Sequence, residues 1–527
     1  MADRVLQEEF EVGSNSTGVF FDNRDQLSGA KHSHTLRTAF DLLGLDGIFC
    51  AENAPLVYFK KIKRFNSEEI ANLHRKFWNH GGAPILVLLS DTEVHVYSAF
   101  ILPDAAISPD KRISALVETL DRTSALLREF LPAVESGEYF RRNKGFFDTE
   151  NRVDRQLLNN LEATRDNLLQ NSNVKPKVID SLLCRLVFTC YLFDRGIIGA
   201  GYLKKIAPAG VGHLRGILAM RPRGKAKESL YLLFHKLGKD FNGDLFSDDL
   251  DLESRLVKAS LIEPLDSFFH GTDVISGQGA FWPYDFSAIP VEAISSIYER
   301  FLHSARPDGA YYTPRALAEL VIDIGLDGSA ELLGKRFLDP SCGSGIFLVA
   351  IFNRLAEEWK IKNPKARNDR RARELRDILC SSLHGVDINP TACRISAFSL
   401  YLAYLDQLSP RDIRELRDNG HRLPKLVRYS NAVAKQRVEG NITCGDFFAE
   451  EEDYATNVDL VVGNPPWGSL ATEKTPASRW CERNECSVPD KQIAAAFVMK
   501  APKHVSGKGK ICFVIPYGTL FNHGNTA

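Results

Sequence analysis

No stretch of this 527-residue chain stays apolar for the roughly 20 residues that a membrane-spanning helix needs. Its first residues, Met1-Ala2-Asp3-Arg4-Val5, lack the basic-then-apolar pattern of a secretory signal. Both absences make the cytoplasm the expected location. Neither sign of charge is in excess: 66 Lys and Arg stand against 67 Asp and Glu, a net charge of −1. A globally basic nucleic-acid binder is thereby excluded, and any DNA-binding surface must come from local clustering. The ten cysteines are scattered. Cys481 and Cys486 lie close together, but no second Cys/His pair at zinc spacing accompanies them, so no metal site is expected. Internal repeats and low-complexity tracts are also lacking.

What is present belongs to a globular chain, with 44% hydrophobic and 25% charged residues, long enough for two to four domains. Residues 1–32 show no clear period. Beyond them the pattern predicts a helix over Thr35–Leu45, strands over Gly47–Cys50 and Leu56–Ile62, and a helix over Ser67–Trp78. Strands over Pro84–Leu89 and Glu93–Phe100 follow. Residues 1–105 therefore form a small α/β domain, in an order compatible with a restriction-nuclease-like fold. Such a fold holds a divalent metal through a carboxylate and an acidic residue two positions before a lysine. Asp46 and Lys60 fit that pattern loosely, while Tyr58 stands where the second acid belongs. The expectation is a degenerate nuclease-like domain. Helical periodicity dominates residues 106–305, a helical spacer whose Val178–Phe193 stretch is apolar on most faces and ends at Asp194-Arg195-Gly196.

From residue 306 to 527 strands and helices alternate, as in a doubly wound parallel sheet. Four strand ends carry polar motifs. Phe337-Leu338-Asp339 runs into Pro340-Ser341-Cys342-Gly343-Ser344-Gly345 before a helix, a turn whose glycines admit a ligand close to backbone amides. Leu383–Val386 ends in Asp387, whose carboxylate can accept from both hydroxyls of a ribose. Ile442–Phe448 contains Asp446 and Phe447. Val458–Val462 delivers Gly463-Asn464-Pro465-Pro466-Trp467, which sets side-chain and backbone oxygens beside an aromatic face and suits a planar, amino-bearing base. Upstream, Tyr311-Tyr312-Thr313-Pro314 precedes a further helix. Lys360–Arg376 is rich in cations but shares its stretch with Asp369, Glu374 and Asp377, as a phosphate-binding patch or a salt-bridged helix face would.

In this order, over residues 309–521, the motifs resemble those of adenine-N6 DNA methyltransferases, and the whole chain is similar to the long fused restriction–modification methylases. The resemblance implies an S-adenosylmethionine-dependent methyltransferase fold. Tyr312, Thr313, Asp339, Cys342, Gly343, Gly345, Asp387, Asp446 and Phe447 would bind the cofactor, with Tyr312 and Thr313 over its methionine end. Asp446 would take its adenine amine and Phe447 its adenine face. The target amine is a poor nucleophile because its lone pair is delocalised into the ring. The Asn464 side-chain oxygen and the Pro465 carbonyl would accept from it, Pro466 would complete the turn, and Trp467 would stack on the base once it leaves the duplex. The family more often has tyrosine or phenylalanine at the fourth position.

Against the family's seven-stranded sheet and following recognition domain, the sequence is expected to be C-terminally incomplete. A missing region or a second polypeptide would then supply recognition of double-stranded DNA, and methylation by these residues alone would be weak. Two alternatives remain at this point: a bifunctional restriction endonuclease–methyltransferase, and a non-catalytic cofactor- or DNA-binding component of a larger complex.

Overall fold

The computed structural model describes residues 18–27, 33–51, 54–103, 113–122, 126–241, 249–270, 284–291, 313–329, 331–429, 440–449, 454–468, 475–486 and 492–517, with a few single positions between them. The chain divides into two compact units, residues 1–164 with 263–290 and residues 165–262 with 291–527. This differs from the expected three-way division, because the stretch between 106 and 305 does not stand as a unit of its own.

The first unit is built on a six-stranded sheet in sequence order: β1 (Val19–Phe21), β2 (Gly47–Ala51), β3 (Ala54–Lys61), β4 (Ile85–Leu89), β5 (Glu93–Ser98) and β6 (Leu116–Asp121). Neighbours are antiparallel except β3 and β4. A parallel pair cannot be joined by a tight turn. The connection here carries α2 (Ser67–His80), which follows α1 (Ser33–Leu43). The N-cap of α2 is Asn66, one residue before the Ser67 expected from the sequence, and its side chain accepts from the amides of Glu68 and Glu69. One sheet face packs Tyr58, Leu86 and Leu88 with Leu36, Leu43 and Phe77 of these helices. Val57, Phe59 and Val87 point the other way, toward Phe130, Leu131 and Val134 of α3 (Leu126–Glu135). Two strands correct the expectations. β1 lies within the supposedly irregular lead-in, where Leu6 and Phe10 are also buried, and β6 lies where a helix was expected.

The second unit carries a parallel sheet of β7 (Phe337–Asp339), β8 (Leu383–Asp387), β9 (Val427–Tyr429), β10 (Ile442–Cys444), β11 (Val458–Gly463) and β12 (Val505–Phe513), in the order β12-β11-β7-β8-β10-β9. The expected strands are all present. β10 is shorter than predicted, β12 begins five residues before the strand the pattern predicts over Lys510–Tyr517, and β9 is an addition at the edge beside β10. This doubly wound order reverses between β7 and β11, and ligands of such sheets bind at that switch point, beyond the carboxyl ends of the strands.

The helix predicted to be buried is α4 (Pro176–Asp194), ended by Gly196 in the left-handed region at φ 66°. α5 (Arg223–Phe241) and α6 (Leu250–Leu256) follow. Fully buried Arg185 of α4 pairs with Glu253 of α6, which also accepts from the Tyr231 hydroxyl of α5 at 3.1 Å. Burial and that carboxylate raise the Tyr231 phenol well above its usual range. Later helices of this unit include α7 (Arg315–Leu326), α8 (Ile346–Lys362), α9 (Asn368–Ser381), α10 (Pro390–Asp406), α11 (Pro476–Arg483) and α12 (Ile493–Lys500). α4 packs on α10, and Arg195 just beyond α4 pairs with Asp406 at the end of α10. The supposed spacer helix is thus part of this unit. No helix among the described residues is long and apolar enough to cross a membrane.

Candidate active site

Each motif of the second unit sits where a parallel strand ends, so sheet register decides which of them meet. Cys444 of β10 is opposite Asp387 of β8, and Asp339 of β7 is opposite Gly385 of β8. On the other side of β7, β11 delivers Asn464 one residue beyond Gly463. A methyl group on Gly463 would come within 2.6 Å of Asp339 Oδ1, so glycine is what lets these two strand ends converge.

The turn from β7 into α8 is fixed by backbone contacts. Cys342 N–H donates to Val386 O at 2.9 Å, Gly345 N–H donates to Cys342 O at 2.7 Å, and Gly343 N–H donates to Asp387 Oδ2 at 3.0 Å. Gly343 and Gly345 both have positive φ, 52° and 84°, which favours glycine. A Cβ at Gly345 would also lie 2.5 Å from Ser396 Oγ of α10. The other oxygen of Asp387 accepts from Asn389 N–H at 2.8 Å. Asp387 thus braces the turn through both of its oxygens.

Two residues expected to bind the cofactor, Cys342 in the turn and Phe447 through its ring, have buried side chains. Cys342 is 3% exposed and its sulfur packs toward Gly385, so only its backbone belongs to the turn. Burial and the carboxylates of Asp387 and Asp339 raise its thiol well above the usual range, which keeps it neutral. Phe447 is 2% exposed and stacks on Phe497 of α12, with centroids 5.3 Å apart and planes at 14°. Its ring is core, and it offers no face to an adenine. Asp446 accepts from Phe448 N–H at 2.9 Å, and Asp339, 1% exposed, accepts from Ser341 N–H at 3.1 Å. Tyr312 lies outside the described residues.

Two residues here escaped the sequence reading. Ile388, between Asp387 and the helix cap Asn389, is 69% exposed, and an exposed apolar side chain beside a strand-end acid can cover a flat ring. Its signal was available, as an apolar residue between a strand-end acid and a helix cap. Lys500, at the end of α12, is buried and donates to Phe447 O. Its ammonium lies 4.7 Å from the Phe447 ring centroid, 5.3 Å from that of Phe448, 5.8 Å from Tyr454 and 6.0 Å from Trp480. Burial lowers its pKa to about 8, against the opposing pull of Asp446. Nothing in the sequence around Lys500 marks it.

At β11, Pro465 is buried and Pro466 exposed. Asn464 Nδ2 donates to Thr313 Oγ1 at 3.1 Å, and Asn464 Oδ1 accepts from Trp467 Nε1–H at 3.0 Å. Thr313 is 3% exposed and directly precedes the N-cap of α7. The Tyr-Thr-Pro segment and the Asn-Pro-Pro-Trp turn, 151 residues apart, therefore meet. The cationic stretch resolves largely into ion pairs, Arg370 with Glu374 at 2.6 Å, Arg373 with Asp369 at 3.4 Å and Lys362 with Glu358 at 2.8 Å.

The first unit's candidate pair takes another form. Lys60 Nζ donates to the carbonyls of Leu43 and Gly44, both at 2.6 Å, capping the end of α1. Asp46 Oδ2 accepts from Lys61 N–H at 2.7 Å, and Tyr58 is fully buried. Among the described residues, no group of three metal-ligating side chains includes Asp46; the one such group is Cys190, Asp194 and His213, where Arg215 already holds both oxygens of Asp194.

Comparison with known proteins bears on residues 291–527, which match the family described as N-6 DNA Methylase. The adenine-specific methyltransferase PglX of Streptomyces coelicolor is 27% identical over 201 residues, 33% of this chain and 16% of that protein. The type I restriction enzyme EcoEI methylase subunit of Escherichia coli is 25% identical over 232 residues, 43% of this chain and 37% of the subunit. The chain thus spans well under half the length of either. A solved structure of the type IIL restriction–modification enzyme MmeI in complex with DNA covers 68% of this chain and 50% of its own, at 15% identity and a TM-score of 0.43.

Proposed function

We propose that this chain, whose residues 291–527 match the N-6 DNA methylase family, transfers a methyl group from S-adenosylmethionine to the N6 amine of an adenine in double-stranded DNA, within a restriction–modification system. The observation that carries the proposal is the convergence of Asn464 with the Asp339–Gly345 turn at the point where the sheet reverses its strand order. The residues present fit the cofactor. The turn is glycine where a side chain would collide, Asp387 holds that turn, and Ile388 presents an exposed apolar side chain beside it. When bound, S-adenosylmethionine supplies an electrophilic methyl on a sulfonium.

This chain's residues do the rest by position. Asn464 Oδ1 and the Pro465 carbonyl accept from the target amine, drawing it toward tetrahedral geometry and freeing its lone pair. Trp467 stacks on the flipped base. The bifunctional alternative gains no support from the first unit, where Lys60 is a helix cap and Tyr58 is core.

The test has two arms. Calorimetry should give one-site S-adenosylmethionine binding that Asp387→Ala weakens. Tritiated methyl incorporation into unmethylated duplex DNA, followed by nucleoside analysis, should yield N6-methyladenine. Methylcytosine as the product, or cofactor binding indifferent to Asp387, would refute the proposal.

A further inference from the structure

We infer that the Trp467 indole N–H, with the Thr313 hydroxyl, fixes which way the Asn464 carboxamide faces, so that Trp467 is a positioning residue as well as a stacking surface. The inference rests on the role proposed for Asn464. A carboxamide can turn over, exchanging its oxygen for its NH2 with little change of shape, and only the oxygen can accept from a target amine. Two contacts and the burial of one partner decide the matter here. Trp467 Nε1–H, which can only donate, lies 3.0 Å from Oδ1. Thr313 Oγ1 accepts from Nδ2 at 3.1 Å. Thr313 is 3% exposed, so bulk water does not readily replace that partner. Turning the amide over would set the indole donor against an NH2 donor.

An amide oxygen has two lone pairs. The indole holds one and leaves the other for the base. A phenylalanine at 467 would keep an aromatic face but bring no donor. Tryptophan at this position therefore adds an orienting bond that no purely hydrocarbon ring can make.

Two variants separate the roles. Trp467→Phe keeps the ring face and removes the donor, and Thr313→Val keeps the shape and removes the acceptor. The full chain is assayed with tritiated S-adenosylmethionine on long mixed-sequence duplex DNA free of N6-methyladenine. Trp467→Phe should lower kcat about tenfold and leave KM for DNA within about twofold, as loss of an interaction that orients the reacting group requires. Its affinity for S-adenosylmethionine, read by calorimetry, should match wild type and show that the domain is folded. Thr313→Val should also lower kcat. The double variant should lose less than the product of the two single losses, because both act on one amide. A Trp467→Phe variant with full or raised kcat, or one whose whole loss lies in KM for DNA, overturns the inference alone. Absence of methyl transfer by the wild-type chain overturns the proposed function and this inference together.

Discussion

Both sheets of this chain have an acidic residue at a strand terminus, Asp46 just before β2 and Asp387 at the end of β8, and they use the polar groups there in opposite ways. In the first unit, Asp46 accepts the Lys61 amide and Lys60 caps α1, so the polar atoms close the fold's own backbone. In the second, Asp387 holds a glycine turn at the end of β8, and half-buried Asn464 stands one residue past β11, followed by buried Pro465 and exposed Pro466. Chemistry requires polar groups that the fold orients but does not exhaust. A strand-end carboxylate or lysine is thus no sign of a site by itself; what matters is whether local hydrogen bonds use it up.

The contrast is tested most severely at Asn464. Asn464→Ala should cut methyl transfer by about 10²–10³-fold, the usual cost of removing one preorganised polar partner from a transition state, and leave S-adenosylmethionine affinity unchanged. Asp46→Ala should leave both quantities unaltered. A methyl-transfer assay beside calorimetry reads the pair, and equal sensitivity of the two residues would erase the distinction.

Next in size is Asp387→Ala. Loss of a charged acceptor should weaken S-adenosylmethionine binding about 10–100-fold, from the ~1.5–3 kcal/mol that hydrogen bonds to charged groups carry. Part of that loss is indirect, because Gly343 would also lose the partner that holds its turn.

Lys500 extends the comparison to a cation that the fold buries at a cost. Its folded pKa of about 8 lies below the ordinary lysine value of 10.5, so the folded state disfavours its charged form. Between pH 8 and 10.5 the unfolded chain binds more protons than the folded one, and this group's contribution to stability rises with pH. By pH 9.5 the penalty present at pH 7 should have shrunk by about 2 kcal/mol, at 1.36 kcal/mol per pKa unit. Chemical denaturation of wild type and Lys500→Met at the two pH values isolates this residue, since the other titrating groups cancel in the difference. A pH-independent difference would mean that the four surrounding rings compensate the ammonium fully.

The sequence made one side of this comparison far more legible than the other. Glycines and strand-end polar residues report the second unit's site because backbone conformation and close approach restrict them. Gly345 has both a positive φ and Ser396 against it. Phe447 was misplaced because an aromatic after a strand reads alike whether it faces a ligand or, as here, stacks on Phe497. β1 and β6 escaped notice because a three-residue strand and a half-exposed edge strand carry almost no alternation. The helix α4 looked like part of a separate spacer because its apolar surface does not name its partner. The bond that ties it to α6, Arg185 with Glu253, joins residues 68 apart. Long-range polar pairing of that kind has no local signature.

The smallest effect separates a nuclease from its remnant. If Lys60 serves only as a cap, Lys60→Ala should cost about 1 kcal/mol, as loss of a partly exposed hydrogen-bonding group does, and should shift the denaturation midpoint of the first unit. It should change neither S-adenosylmethionine affinity nor the integrity of supercoiled DNA incubated with Mg²⁺. Tyr58→Glu would not create the missing metal ligand, because position 58 is fully buried on the helix-packed face and a carboxylate there would be desolvated among Leu86, Leu88 and Phe77. That substitution should therefore destabilise the unit more than Lys60→Ala and still produce no nicking. Mg²⁺-dependent nicking by wild type that Lys60→Ala abolishes would show that the lysine leaves its cap to reach a phosphate, and the two sheets would then differ only in which chemistry they hold ready.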